Sequence, residues 1–172
     1  YSAVPIGCTI EEIEEIIKVV KETRLIYMMG ETCYYYPCAM YCREQYKKGE
    51  FGSFVYGESQ YYHDISEMYN DFKRSGGENW RRVAGIPPMF YPTHSISMIF
   101  SSIDQYATKV SCMGLRDNHE DNVYGEGKNN WDNPFSNETA LFQMSGGGVV
   151  RINEFRRVGI NKPSSYITCF YG

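Results

Sequence analysis

An α+β chain is what this sequence predicts: the tail of a βαβ unit, then a mostly antiparallel sheet with helices on one face. Two observations carry the prediction. Near the start, a capped amphipathic helix stands between two short strand-like runs. Further on, strand candidates outnumber helices, and turn signals separate them. The division falls near Glu31, giving residues 1–30 and residues 31–172 as two units.

Tyr1-Ser2-Ala3-Val4-Pro5 has the apolar pattern of a buried strand entering a helix. Thr9-Ile10-Glu11-Glu12 then forms a capping box, in which the Thr oxygen accepts a helix-start N–H and Glu12 reaches back. Ile10, Ile13, Ile16, Ile17 and Val20 mark one helical face, and Glu11, Glu14, Glu15 and Lys18 the other. Leu25 to Met29 follows as a second short buried strand. Strand, helix and strand in this order make a parallel βαβ unit, so residues 1–30 have the pattern of the C-terminal end of a Rossmann-like nucleotide-binding domain.

In the second unit, Pro37 opens a helix to about Lys48, and Gly49 ends it. Residues 51–62 alternate like a strand. Residues 65–82 carry a short helix and a loop, and a helix over Ser95 to Ile103 follows Pro92. Strand candidates lie at 107–115, 139–145, 148–157 and 164–171. Gly146-Gly147-Gly148 marks a hairpin turn, and a long loop covers 116–138. The chain has no initiator Met and opens on a strand. It is therefore expected to begin inside a longer protein, with the front of the nucleotide-binding domain outside it. The strand at Tyr166 to Tyr171 suggests truncation at the C-terminus as well.

Bulk properties narrow the function. With 172 residues and 42% hydrophobic content, the chain can bury a core. A net charge of −4 with no basic block argues against nucleic acid. No apolar run reaches the roughly 18 residues of a membrane span. The six cysteines show neither a C-x-x-C nor a second pair at zinc spacing, so reduced thiols in a cytoplasmic protein are expected and no metal. The 16 tyrosines suit strands, and they also suit sugar sites, where an apolar ring carrying a hydroxyl is useful.

Chemistry concentrates at Pro87-Pro88-Met89-Phe90-Tyr91-Pro92-Thr93-His94-Ser95. Tyr91 and His94 sit at a helix mouth, where unpaired N–H groups and a partial positive charge gather. A phenol and an imidazole there can exchange protons with a bound hydroxyl; alternatively His94 is simply hydrogen-bonded beneath a Pro-capped helix. Glu31 follows a predicted strand at the edge where ligands gather, or is a solvated loop carboxylate. Tyr61 and His63 share one strand face, and Tyr62 points the other way. Trp80-Arg81 offers a stacking plane and a cationic donor, or plain core packing. Asp117, His119, Glu120 and Asp121 are read as a solvated loop, with a metal site or a lid as the alternative.

Ala3-Val4-Pro5, Tyr27-Met28-Met29-Gly30-Glu31, Gly49-Glu50-Phe51-Gly52, Tyr61-Tyr62-His63-Asp64, Trp80-Arg81 and Tyr91-Pro92-Thr93-His94 occur in this order. Together they resemble the Gfo/Idh/MocA family of NAD(P)-dependent sugar oxidoreductases. The closest resemblance is to its NAD-dependent glycosidase branch, the α-N-acetylgalactosaminidases, whose active site carries Tyr-Pro-Thr-His. The resemblance puts Tyr91, His94 and Glu31 in the active site, with Tyr91 and His94 as the expected catalytic pair, and makes Tyr61 a sugar contact with His63 as a second candidate; Trp80 and Arg81, read from their own chemistry, are further substrate-binding candidates. It implies NAD or NADP bound mainly by a preceding segment, with Pro5 and Glu31 contributing here, and a homo-oligomer formed through the sheet face.

Two departures separate the chain from ordinary dehydrogenases of that family. Val4 stands where they often carry a Lys, and Phe90 where they often carry an Asp. The glycosidase branch shares the Val-Pro and the Tyr-Pro-Thr-His, although Ser95 replaces the Gly that follows its His. The expected function is therefore hydride-transfer oxidoreduction of a sugar, with redox-assisted glycoside cleavage as the alternative. A non-catalytic sugar sensor is the third reading.

Overall fold

The computed structural model describes residues 1–159 and 164–172. Helix α1 (Ile10–Thr23) begins on the predicted box, with the Glu12 N–H donating to Thr9 Oγ1 and the Glu12 carboxylate accepting from the Thr9 N–H. Arg24, in the left-handed conformation, ends it by donating its N–H to the Val20 carbonyl. The flanking segments meet at a single parallel bridge, Ser2 to Met29.

The buried strand expected at Leu25 to Met29 is reduced to that bridge: Leu25 is 69% and Ile26 97% exposed. No residue of α1 is buried either. The reason is geometric, because one bridge offers no sheet surface on which an apolar helix face can pack. Ile13, Ile16, Ile17 and Val20 instead line an open groove of about 360 Å³ with Tyr27 and Met29.

The second unit contains α2 (Pro37–Lys47), β1 (Tyr56–His63), α3 (Tyr69–Gly76), α4 (Trp80–Ala84) and α5 (Thr93–Phe100). These are followed by β2 (Ala107–Arg116), β3 (Phe135–Met144), β4 (Val149–Phe155) and β5 (Ser164–Tyr171). The five strands form one mixed sheet in the order β2-β3-β4-β1-β5. Only β1 and β4 run parallel; the other three pairings are antiparallel, as expected. The triple glycine makes the β3–β4 turn, where Gly147 has φ 93°, a conformation that costs glycine little.

Register explains the layering. Gly57, Ser59 and Tyr61 of β1 lie beside Val150, Ile152 and Glu154 of β4 and beside Phe170, Thr168 and Tyr166 of β5. All of these share the face on which α5 packs. Ile99 of α5 joins Phe54, Ile103, Met144, Val150 and Ile152 in the main core. The opposite face is open, with Tyr62 stacked on Phe155 and Arg151 paired to Glu58. β2 is an exposed edge along its whole length. No helix among the described residues is long and apolar enough to cross a membrane.

The loop between β2 and β3 is shorter and more ordered than a solvated loop. β3 starts at Phe135, and Val123 and Tyr124 are buried against Ile65, Trp80 and Ala84. Asn129 Oδ1 accepts the Trp131 and Asn133 N–H groups, while the Asn133 amide donates to the Gly85 and Phe135 carbonyls. Asp117 and Asp121 are not solvated carboxylates, because both bind the buried Arg157 guanidinium, at 3.5 and 2.6 Å. Only His119 and Glu120 of that cluster stay exposed.

Candidate active site

Three prolines, Pro87, Pro88 and Pro92, constrain the segment before α5. A 3₁₀ turn over Pro88–Phe90 is pinned to the sheet where the Met89 N–H donates to the Glu138 carboxylate of β3, at 2.7 Å. Tyr91 then leaves that turn, and Pro92 sets the start of α5. His94 lies in the first turn of α5, directly above the carboxyl ends of β1 and β4.

There the side chains join. Tyr91 Oη is 2.6 Å from His94 Nε2, and His94 Nδ1 is 2.8 and 3.0 Å from the two oxygens of Glu31. Glu31 also accepts the Cys33 N–H at 2.9 Å. Burial acts to raise the Glu31 pKa, but the hydrogen bonds from His94 and the Cys33 N–H outweigh it and hold the group near 2. The carboxylate is thus ionised and can only accept. Nδ1 must therefore carry the hydrogen, and in the neutral form of the ring Nε2 is the acceptor for the Tyr91 hydroxyl. Phenol, imidazole and carboxylate form one directed chain, in the arrangement that generalises the nucleophile–base–orienting-acid triads.

Burial first, and then the Glu31 charge, push the Tyr91 phenol above its ordinary range. It does not rest as a phenolate; its proton leaves only as His94 receives it. A second pair stands close by, with the Tyr61 hydroxyl hydrogen-bonded to His63 Nδ1. The Tyr61 ring stacks on Tyr166 at 4.9 Å and meets His94 edge-on at 5.1 Å. Burial pushes Tyr61 to about 12, and burial together with the Arg156 charge lowers His63.

Tyr61, His63 and Tyr91 face a cavity of about 340 Å³ that Val4, Pro5, Ile65, Met68, Phe72, Ile86, Phe90, Tyr124 and Arg156 also line. Glu31 opens instead into a neighbouring cavity of about 380 Å³ with Tyr34, Tyr35 and Thr93. The relay therefore spans the wall between the two cavities. Pro5 sits at the edge of the first. Trp80 and Arg81 are not brought to it: Trp80 is buried behind the wall in contact with Tyr69, and Arg81 stacks on Trp80 and donates to the Asp121 carbonyl.

Ligand-type atoms of Glu31, Cys33 and His94 lie within 4.8 Å of one another. Burial and the Glu31 charge push the Cys33 thiol to about 12. A cation there would have to displace protons from both the thiol and Nδ1, so the present geometry is that of a hydrogen-bonded relay. All six cysteines are free.

Two residues of the site escaped sequence reading. Arg156 reaches the cavity from just beyond β4, 7% exposed, with its guanidinium 4.9 Å over the Tyr61 ring. It is held by Glu154 at 2.8 Å, which is fully buried and also accepts from Ser95 of α5. Burial pushes Glu154 to about 7, against the attraction of Arg156. The signal was present: Val150, Ile152, Glu154 and Arg156 alternate onto one face, and charge at inward positions of an apolar strand needs a reason.

No family model matches the chain. An α-N-acetylgalactosaminidase from Bacteroides fragilis is 30% identical over 100 residues, covering 56% of this chain and 24% of that protein. A glycosyl hydrolase family 109 protein from Akkermansia muciniphila is 30% identical over 116 residues, 66% of this chain and 24% of the relative. The chain thus spans about a quarter of the length of the curated relatives it matches. Among solved structures, scyllo-inositol dehydrogenase from Lactobacillus casei with NAD(H) and scyllo-inositol superposes with TM-score 0.70 at 18% identity. That match covers 98% of this chain and 46% of the other. UDP-N-acetylglucosamine 3-dehydrogenase from Acidithiobacillus ferrooxidans gives 0.63 at 14%, covering 98% and 43%. The chain has the fold of the C-terminal domain of Gfo/Idh/MocA-type dehydrogenases, and its sequence is similar to glycosyl hydrolase family 109 proteins over more than half its length.

Proposed function

We propose that this chain carries the sugar-facing half of an NAD(P)-dependent oxidoreductase, and that Tyr91, His94 and Glu31 are its proton relay. The observation that carries the reading is the directed hydrogen-bond chain from Tyr91 at the cavity to Glu31. A nicotinamide held at the Val4, Pro5 and Phe90 edge would supply a hydride acceptor for a sugar carbon. Tyr91 is placed to accept the proton of the hydroxyl on that carbon as His94 takes the phenolic one. Glu31 steadies the imidazolium that results. Tyr61 and His63 are placed to hold other hydroxyls, and Tyr166 supports Tyr61 from behind.

The cofactor is compatible with what the cavity offers. Val4, Pro5 and Phe90 give an apolar edge beside Tyr91, which suits a flat nicotinamide face. The chain contains no Gly-x-Gly-x-x-Gly phosphate cradle, so residues 1–30 are read as the end of a nucleotide-binding domain whose phosphate contacts come from elsewhere in the protein. Residues 31–172 are read as the substrate and oligomerisation domain. Met113, Leu115 and Leu141 are exposed on the open sheet, which favours a homo-oligomer through that face. Six free thiols favour the cytoplasm.

Redox-assisted glycoside cleavage is the second reading, and the similarity to family 109 glycosidases favours it. That reaction needs proton transfers at two sugar positions, and the cavity offers two Tyr–His pairs. The test is the full-length protein incubated with sugars and aryl glycosides, with NADH absorbance and released phenol followed together. Net NADH identifies a dehydrogenase. Phenol release without net NADH, abolished in His94→Ala, identifies the glycosidase. Sugar binding with neither signal would refute both and leave a sensor.

A further inference from the structure

We propose that Arg156 is the oxyanion-holding residue of this cavity, receiving the negative charge that develops on a sugar carbonyl oxygen when the neighbouring C–H proton is removed. The proposal rests on the reading that an oxidised sugar occupies the cavity, and it concerns the step after oxidation. In that step the C–H bond breaks and its proton passes to the imidazole of His63, directly or through the Tyr61 hydroxyl. The electron pair forms a C=C bond, and the carbonyl π pair moves onto oxygen.

Three observations support it. Arg156 is the one permanent cation among the described residues lining the cavity, and Tyr61, His63 and Tyr91 surround the same space. It is already immobilised before any ligand arrives: Glu154 holds Nη2 at 2.8 Å, the Phe155 carbonyl receives Nη1 at 3.4 Å, and the Tyr61 ring lies beneath it. A guanidinium has five N–H donors, so those contacts leave further donors for an oxyanion. A desolvated, fixed cation is the arrangement that stabilises developing charge most strongly.

The third observation is what the pair costs. A buried Arg–Glu pair is often no more stabilising than apolar residues of the same volume. Ile152 and Val150, on the same face one and two alternations before Glu154, show that apolar side chains fit this layer. Glu154 also grips Ser95, the residue after His94. One buried carboxylate thus fixes the cation and the relay helix relative to each other, which stability alone does not require.

The experiment supplies a keto sugar directly to the full-length protein in D2O and follows deuterium entry at the adjacent carbon by NMR, so that no redox turnover is needed. Arg156→Gln alone leaves Glu154 buried without its partner, so the double variant E154Q/R156Q is measured beside it. Both are expected to exchange about 10²- to 10³-fold more slowly than the native protein. The affinity of an aldonate, a sugar carboxylate that is anionic at neutral pH, relative to its neutral parent sugar should fall by roughly ten- to a hundredfold in calorimetry. Exchange restored to near the native rate in the double variant would overturn the proposal, because Arg156 would then serve only to neutralise Glu154. Unchanged exchange in both variants would overturn it too. A native protein that neither binds nor exchanges the keto sugar would overturn the sugar reading together with the proposal.

Discussion

Replacing Glu31 by Gln tests the relay at its root. In the folded protein the Glu31 carboxyl is lowered from 4.5 to about 2, because His94 and the Cys33 N–H bind its ionised form more strongly than burial opposes it. At about 1.4 kcal/mol per pKa unit, ionised Glu31 stabilises the fold by about 3 kcal/mol. The sign follows from the direction of the shift. A lowered pKa means that this stabilisation is complete above the unfolded value of 4.5 and drains away as pH falls towards 2. Between pH 6 and pH 3 it removes about 2 kcal/mol. Urea unfolding at these two pH values, for the native and Glu31→Gln proteins, reads that amount for the coupled Glu31–His94 pair, since titrating groups away from the pair cancel in the comparison. The variant should be less stable at pH 6 and lose about 2 kcal/mol less on acidification. A drop equal to the native one would refute the pairing, and the tautomer of His94 derived from it would fall as well. With the carboxylate gone, sugar turnover should also fall by about 10²-fold or more, because the imidazolium loses its counter-charge.

Other expectations follow from the same geometry. Tyr91→Phe should keep the fold and reduce kcat by about 10²- to 10⁴-fold, as measured with saturating substrate; a kcat within tenfold of native would remove Tyr91 from the relay. Glu154 is raised to about 7 by burial, so the folded state holds its proton more tightly than the unfolded one. Relative to Glu154→Gln, the native protein should therefore lose stability as pH rises from about 4.5 to about 7, in thermal melts of the two proteins. Ser95→Ala should enlarge that loss, because it removes the hydroxyl that donates to the ionised form. Gly85→Ala should destabilise by about 2 kcal/mol or more in urea unfolding, because its Cβ would press into the Val123 carbonyl and the Asn129 side chain.

What the sequence made legible was local. Thr9 and Glu12 lie three residues apart, so their box could be read directly, and the two-residue period of a strand was enough to put Tyr61 and His63 on one face. Tyr91 and His94 are likewise one helical turn apart. Glu31 was harder, since 63 residues separate it from the imidazole it orients; only the strand-end position and a family resemblance pointed to it. For Arg156 and Glu154 the strand period marked only the inward face; the partners that give them a role, Ser95 and Tyr61, are tertiary and lie outside any periodicity. Arg157 hid the nature of the 117–121 cluster in the same way: a carboxylate-rich loop looks solvated until its buried cation is placed. Leu25 and Ile26 failed for the opposite reason, since an apolar run states what could be buried and not whether a partner surface covers it.

The parallel pairing of β1 with β4 also governs how this domain is made. Gln60 and Asn153, hydrogen-bonded across that pair, are 93 residues apart, and the antiparallel partner β5 comes later still. During synthesis β1 emerges with neither neighbour available, and its tyrosines stay unpaired until most of the chain has followed. Contacts that close such long loops meet their entropy cost late, and so form slowly. Until β4 arrives, β1 is an open edge rich in aromatic residues, the segment a chaperone would have most reason to hold. The cavity wall is then completed only after β4 has paired with β1 and Arg156, just beyond it, has come over Tyr61.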